Sequence, residues 1–123
     1  MNNSTENSSR DCRPWGYYDI LSEHQDFRIK KIVVFPGHRI SLQRHRQRSE
    51  HWLVLKGVGM IVVENSEREI KKGDSFDIPA GSVHRACNSG EEDLVIIEIQ
   101  TGQYFGEDDI ERIADDYGRE DLC

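Results

Sequence analysis

Cysteine is scarce in this 123-residue chain. The three present, Cys12, Cys87 and Cys123, are odd in number, and two of them lie close to the termini. Such a set makes no disulfide framework and fits a reducing compartment, so the expected location is the cytosol. Its spacing also matches no zinc motif built on cysteine. Long apolar runs are missing too: no stretch approaches the ~18 residues that a membrane-spanning helix needs, and mean hydropathy is -0.71. The opening Met-Asn-Asn-Ser-Thr-Glu is polar throughout, which argues against a signal peptide. Positive charge is in deficit, with 16 basic against 23 acidic residues and a net charge of -7. That sign is the reverse of what a nucleic-acid binder usually carries. Neither nucleic acid nor a membrane is therefore expected as a partner. No internal repeat or low-complexity linker divides the chain, and its length suits one domain with a proper core.

The charge that is present is unevenly placed. Eight basic residues and one acid, Glu50, fall between Arg28 and Lys56, whereas twelve acids and only Arg112 and Arg119 follow from Glu91 onward. A local positive field within an acidic protein suits a small anionic ligand such as a sugar phosphate. Residues 1–12, rich in Asn, Ser and Glu, lack periodicity and are expected to be disordered. Beyond them the pattern is one of short strands: 27–30, 32–35, 39–42, 51–55, 58–64, 69–71, 75–78, 84–87 and 93–100. They are punctuated by Pro36-Gly37, Lys56-Gly57, Asn65-Ser66, Lys72-Gly73-Asp74, Pro79-Ala80-Gly81 and Asn88-Ser89-Gly90. Turns at this spacing point to an all-β sandwich or barrel. One short C-terminal helix is expected as well. Ile110, Ile113, Ala114 and Tyr117 follow helical spacing, with Glu107, Asp108 and Asp109 in the first turn.

Two clusters carry chemistry. The first runs Gly37, five residues, Gln43-Arg44-His45, four residues, Glu50, six residues, Gly57. The second runs Gly73, five residues, Pro79-Ala80-Gly81, two residues, His84, three residues, Asn88. Together they resemble the two motifs of the cupins at every spacing, which implies an all-β cupin fold, a double-stranded β-helix or jelly-roll barrel, as a single domain over residues 13–119 with a tail at 120–123. Residues i and i+2 of a strand share a face, so Gln43 and His45 point the same way. Glu50 arrives on the next strand after a turn, and His84 on a third. Two imidazoles, a carboxylate and an amide oxygen form a mixed N/O set for one divalent metal, Zn²⁺ first, with Mn²⁺, Co²⁺, Ni²⁺ or Fe²⁺ as alternatives. The amide at position 43, where iron dioxygenase cupins carry His, suits a Lewis acid better than a redox ion.

A closer resemblance covers Arg13 to Arg119. Arg13-Pro14-Trp15-Gly16, Ser41-Leu42-Gln43-Arg44-His45, Arg48-Ser49-Glu50-His51-Trp52, Ile78-Pro79-Ala80-Gly81, His84-Arg85, Ile97 to Gly102 and Tyr104 to Ile110, ending in Tyr117-Gly118-Arg119, look like type II mannose-6-phosphate isomerase. In that family this domain often forms the C-terminal part of a bifunctional enzyme with mannose-1-phosphate guanylyltransferase. The resemblance implies interconversion of mannose 6-phosphate and fructose 6-phosphate through an enediolate. It also implies functional pairing with a separate guanylyltransferase, since no Gly-rich nucleotide-binding segment is found in the chain. One departure is Gln47, where the family commonly has His; on a continuing strand Gln47 shares a side with His45.

The general base is sought among Glu98, Gln100 and His51. Glu98 and Gln100 fall on one face near the end of an apolar strand, where burial would raise a carboxyl pKa as a base requires. His51 directly follows Glu50 and should point to the opposite face, which makes it the weaker candidate. Arg13, Arg85 and Arg119 lie in the resembling segments and are candidate phosphate ligands, with Gln47 as a further substrate contact. Arg44, Arg46 and Arg48 are expected on the face opposite Gln43 and His45, and Trp15 and Trp52 are expected in the core. Homodimer formation is expected, to cover apolar sheet edges. Three other readings compete: a non-catalytic module binding a sugar or sugar nucleotide, a metal-dependent oxygenase, and a different sugar-phosphate isomerase or epimerase.

Overall fold

A computed structural model describes residues 10–117. Among these described residues, eleven strands form two antiparallel sheets. They are β1 (Arg10–Arg13), β2 (Gly16–Glu23), β3 (Phe27–Val34), β4 (Leu42–His45), β5 (Arg48–Lys56), β6 (Val58–Val63), β7 (Ser66–Lys71), β8 (Ser75–Ile78), β9 (His84–Cys87), β10 (Leu94–Gly102) and β11 (Ile110–Ala114). One sheet has the order β1-β2-β3-β10-β5-β8 and the other β11-β4-β9-β6-β7. The two face each other as the jelly-roll barrel anticipated from the motif spacing. No helix among the described residues is long and apolar enough to cross a membrane.

The inner face of the larger sheet explains where a site can exist. Register sets Leu94 opposite Val34, Ile96 opposite Ile32 and Glu98 opposite Lys30. On its other side, β10 sets Ile96 against Val54, Glu98 against Trp52 and Gln100 against Glu50. β3 and β10 therefore switch from apolar to polar at the same height, Lys30 beside Glu98, and β5 follows one rung later, with Glu50 beside Gln100. Val34, Val54, Leu94 and Ile96 close one end of the barrel with at most 1% exposure. Lys30, Glu50, Glu98 and Gln100 line the other end, buried too. The apolar end fixes register, because a one-residue slip would turn every core side chain outward. That register delivers the polar set to a single place.

Gly57, the last residue of the first motif, sits at φ 91°, and a Cβ there would lie 2.6 Å from the Asp93 carbonyl oxygen. The tight β5–β6 connection therefore excludes a side chain at this position.

Three sequence expectations need correction. The C-terminal helix is not formed: a single 3₁₀ turn, Glu107–Asp109, leads into β11. There Ile110 pairs with His45 and Arg112 with Gln43. The open edge of β4 needs backbone partners, and this tertiary demand outweighs the helical spacing of the four apolar residues. Residues 10–12, expected within a disordered segment, belong to β1. Arg10 is held by a two-pronged contact with Asp19, with Nε donating to Oδ1 at 2.8 Å and Nη2 to Oδ2 at 3.1 Å. Residues 1–9 and the tail at 120–123 lie outside the described residues. The strand expected at 39–42 is in place only from Leu42, with Arg39 forming an isolated bridge to Cys87.

Candidate metal centre and its pocket

Gln43 and His45 leave β4 on the same face, and Gln43 stands directly opposite His84 of β9. Glu50 enters from β5. His45 Nδ1 lies 3.3 Å from Glu50 Oε2, and His84 Nε2 lies 3.7 Å from Glu50 Oε1. One ligand atom from each of the three falls within 4.8 Å of the others, and all three residues are buried. Gln43 lines the same pocket.

Surrounding groups orient this set. The Ser82 carbonyl lies 3.0 Å from His84 Nδ1; with Nδ1–H donating to it, the Nε2 lone pair turns toward Glu50. Trp52 Nε1 donates to Glu50 Oε1 at 3.0 Å, Arg48 Nε to Oε2 at 3.3 Å, and Gln100 Nε2 to Oε2 at 3.4 Å. Burial, with Arg48 and His84 nearby, pushes the His45 pKa down to about 2. Burial likewise lowers that of His84, against the opposing hydrogen bond to Ser82. Both imidazoles are thus neutral at physiological pH and have lone pairs to give. Two neutral nitrogens and a fixed carboxylate, with an amide alongside, fit a divalent ion of the zinc type.

Glu98 faces the same pocket from β10. Its carboxyl accepts from Gln100 Nε2 at 2.6 Å. Burial, reinforced by Glu50, pushes its pKa up to about 8, although Lys30 and Arg48 pull the other way. Lys30, across the ladder from Glu98, is buried against the Tyr18 ring, with Nζ 4.0 Å from the centroid. Arg13, Arg48 and Arg112 bring further positive charge to the lining.

The structure thus gathers Gln43, His45, Glu50, His84, Glu98 and Arg13 around one pocket. Other candidates are placed elsewhere. His51 lies on the outer face, exposed, with Nδ1 2.7 Å from Asp77 Oδ1, because strand alternation turns it away from Glu50. Gln100 is fully buried behind the two carboxylates and outside the pocket lining, so it positions Glu98 and Glu50. Arg85 is also buried, donating to the carbonyls of Ile40 at 2.8 Å and Ala114 at 3.2 Å. It follows His84 directly and therefore points to the opposite face, away from the pocket. Gln47 is exposed in a bend, because β4 ends at His45. Arg119 lies outside the described residues. Trp15 and Trp52 are core residues, as expected, that also wall the pocket.

Arg48 is the main correction to the site. The bend at Arg46-Gln47 resets the alternation, so Arg48 points inward beside Glu50. Arg44 and Arg46 stay outside, both on Glu111. Lys30 was missed as well. Its signal was present in the sequence: it sits at i-2 from Ile32 and i-4 from Val34, on the face that carries the core.

A family model described as mannose-6-phosphate isomerase C-terminal matches residues 1–115. The alginate biosynthesis protein AlgA of Pseudomonas aeruginosa is 45% identical over 115 residues, covering 94% of this chain and 24% of that protein. A mannose-1-phosphate guanylyltransferase of Klebsiella pneumoniae is 42% identical over 107 residues, or 87% of this chain and 23% of that protein. The chain thus spans about a quarter of the length of these curated relatives. Among solved structures, a Klebsiella pneumoniae protein with a double-stranded β-helix domain superposes with a TM-score of 0.67 at 21% identity, over 86% of this chain and 85% of that one. This likeness establishes the fold.

Proposed function

This chain belongs to the mannose-6-phosphate isomerase C-terminal family, and on that premise we propose that it interconverts mannose 6-phosphate and fructose 6-phosphate. A divalent ion, zinc first, would be held by His45, Glu50 and His84 with Gln43 beside them. The observation that carries this reading is Glu98, a buried carboxyl with its pKa raised to about 8, in the pocket of that donor set. Aldose–ketose exchange needs one group to move a proton between C2 and C1 while charge develops on O1 and O2. When bound, the ion supplies Lewis-acid polarisation of those oxygens.

The chain's own residues do the rest. Glu98 takes the proton from C2 and returns it to C1, while the hydroxyl proton passes from O2 to O1 to complete the exchange. Its raised pKa suits both directions of transfer near neutral pH. Gln100 fixes the carboxyl through its amide, so the proton-bearing oxygen keeps one orientation. Lys30, opposite Glu98 in the ladder, offers an ammonium to oxygens of the substrate. Trp15, Tyr18 and Ile32 form an apolar wall that limits water around the reacting carbons.

The test is a coupled assay for fructose 6-phosphate from mannose 6-phosphate, before and after chelation and with each metal restored. Activity that is lost with chelator, returns with metal, and is absent from His84→Ala and Glu98→Gln supports the reading. Folded, metal-loaded protein that makes no fructose 6-phosphate sinks it. The guanylyltransferase name of one relative supports pairing with such an enzyme. Exposed Leu53, Leu55 and Ile99 on the outer face of the larger sheet support a homodimer, which light scattering would report as twice the chain mass.

A further inference from the structure

One carboxylate in the pocket has no part in the metal set or in proton transfer. Glu107, in the 3₁₀ turn between β10 and β11, reaches Lys30 with Oε2 3.1 Å from Nζ. Lys30 is almost wholly enclosed, its side chain 5% exposed, while that of Glu107 is 38% exposed. A buried ammonium needs a counter-charge, and here a residue at the pocket mouth provides it. Lys30 does not stand alone. Arg13 packs on the same Tyr18 ring, its guanidinium carbon 5.1 Å from the centroid, and donates to the Tyr18 hydroxyl at 3.2 Å. Arg48 Nη1 donates to the carbonyls of Phe105 at 3.1 Å and Gly106 at 3.5 Å, immediately before Glu107. Burial disfavours the charged form of Glu107, yet Lys30, Arg48 and Arg13 outweigh it and hold its pKa below the ordinary value. Lys30 thus binds this carboxylate directly, and Arg13 and Arg48 line the same pocket and add their charge.

We propose that Lys30, Arg13 and Arg48 form an anion subsite beside the metal set, filled by the Glu107 carboxylate in the free protein and taken over by phosphoryl oxygens of the ligand on binding. The identity of that ligand as a sugar phosphate rests on the function proposed above. The anion subsite itself does not.

The mechanics of exchange are local. Phe105 is buried, and its carbonyl accepts from both Arg28 Nη1 at 3.0 Å and Arg48. Asp109 accepts the backbone N–H groups of Gln47 at 3.0 Å and Arg46 at 3.3 Å. With the segment pinned on both sides of Glu107, only that side chain has to swing into solvent, where a carboxylate is well hydrated. Space argues for the same step. The cavity with Glu107 in place is about 50 Å³, whereas even benzene occupies an engineered cavity of about 150 Å³. The carboxylate also excludes uncharged sugars from Lys30, because a neutral hydroxyl offers too little to displace it. The exchange therefore selects phosphorylated over free sugars.

The experiment is calorimetric titration of the full chain, metal-loaded and chelated, with inorganic phosphate and with fructose 6-phosphate. Wild type is compared with Glu107→Gln and Asp108→Asn. Asp108 is exposed and adjacent, and its substitution removes the same charge without touching Lys30. Glu107→Gln is expected to bind both ligands about five- to tenfold more tightly, because the competing carboxylate is gone. Asp108→Asn should stay within about twofold of wild type. Lys30→Met should weaken both ligands, and if that variant fails to fold, the pair at 107 and 108 decides alone. Unchanged phosphate affinity in Glu107→Gln, or an equal gain in Asp108→Asn, overturns the subsite even if isomerase activity is found. Tighter phosphate in Glu107→Gln with no preference for fructose 6-phosphate and no turnover upholds the subsite and overturns the isomerase reading.

Discussion

Glu98 makes the stability of the metal-free protein fall as pH rises above neutrality. Its pKa moves from an ordinary 4.5 up to about 8 on folding. Between those values the folded state binds a proton that the unfolded chain releases, so stability declines with pH at ~1.4 kcal/mol per unit. His45 and His84 act oppositely. Their pKa values are lowered from 6.5, so below about 6.5 the unfolded chain binds their protons and the folded one does not. Stability therefore climbs with pH up to about 6.5, where two histidines outweigh one carboxyl, and then descends toward 8 on the Glu98 slope. Over those ~1.5 units the fall amounts to about 1 kcal/mol, because the tail of the histidine titration offsets part of it, or roughly 4 °C in Tm for a domain of this size. The assay is thermal or urea unfolding of chelated protein at half-unit steps from pH 5 to 8.5. Glu98→Gln should keep rising past pH 6.5 and level off by about 7.5 with no descent, since the amide keeps the contact with Gln100 and has no proton to lose. A wild-type curve that is flat above pH 6.5, or a variant that falls as steeply, refutes the assignment of a neutral buried carboxyl at position 98.

Trp52→Phe removes the Nε1 donor from Glu50 while keeping an aromatic ring in the core. Metal affinity, read by competition with a chromogenic chelator, should drop about tenfold, with stability down by ~1–3 kcal/mol for the unsatisfied carboxylate. Arg48→Met takes the guanidinium counter-charge from buried Glu50 and one donor from the carbonyls of Phe105 and Gly106, and should lower urea-unfolding stability by about 3 kcal/mol. It should also speed amide hydrogen exchange over residues 103–109. His51→Ala, on the outer face against exposed Asp77, should leave metal affinity unchanged and stability within about 0.5 kcal/mol. A tenfold loss of metal there would mean that β5 is in a different register.

The barrel was legible in the sequence because its strands are short, its turns carry their own chemistry, and the two motifs have fixed internal spacing. What escaped depended on partners that the local pattern of residues does not announce. β11 looks helical when read alone, and its strand state exists because β4, more than sixty residues earlier, has an edge to fill. β1 sits in a polar segment whose only local asset is Arg10, and it is ordered by the ion pair with Asp19 on β2. The first partner lies outside any local window of sequence, and the second, only nine residues on, shows once the hairpin sets Arg10 opposite Asp19. Lys30 is a different case, since its spacing from Ile32 and Val34 already sets it on the core face. A lone lysine on an apolar face reads as a surface residue until the register shows Glu98 across from it.

The site also turns on one irregularity of two residues. Strict alternation from Gln43 would carry position 47 into the pocket and keep position 48 outside it. β4 stops at His45 instead, and the backbone N–H groups of Arg46 and Gln47 bend outward onto the Asp109 carboxylate. The bend reverses which residues face inward: Gln47 reaches solvent, and Arg48 joins Glu50. The amide at 47, which differs from the commoner family residue, therefore costs the pocket no donor in this geometry. His introduced by Gln47→His should accordingly leave metal affinity within about twofold, by the near-neutrality of exposed substitutions. A large gain in metal affinity in that variant would show that position 47 reaches the metal set and that the bend opens.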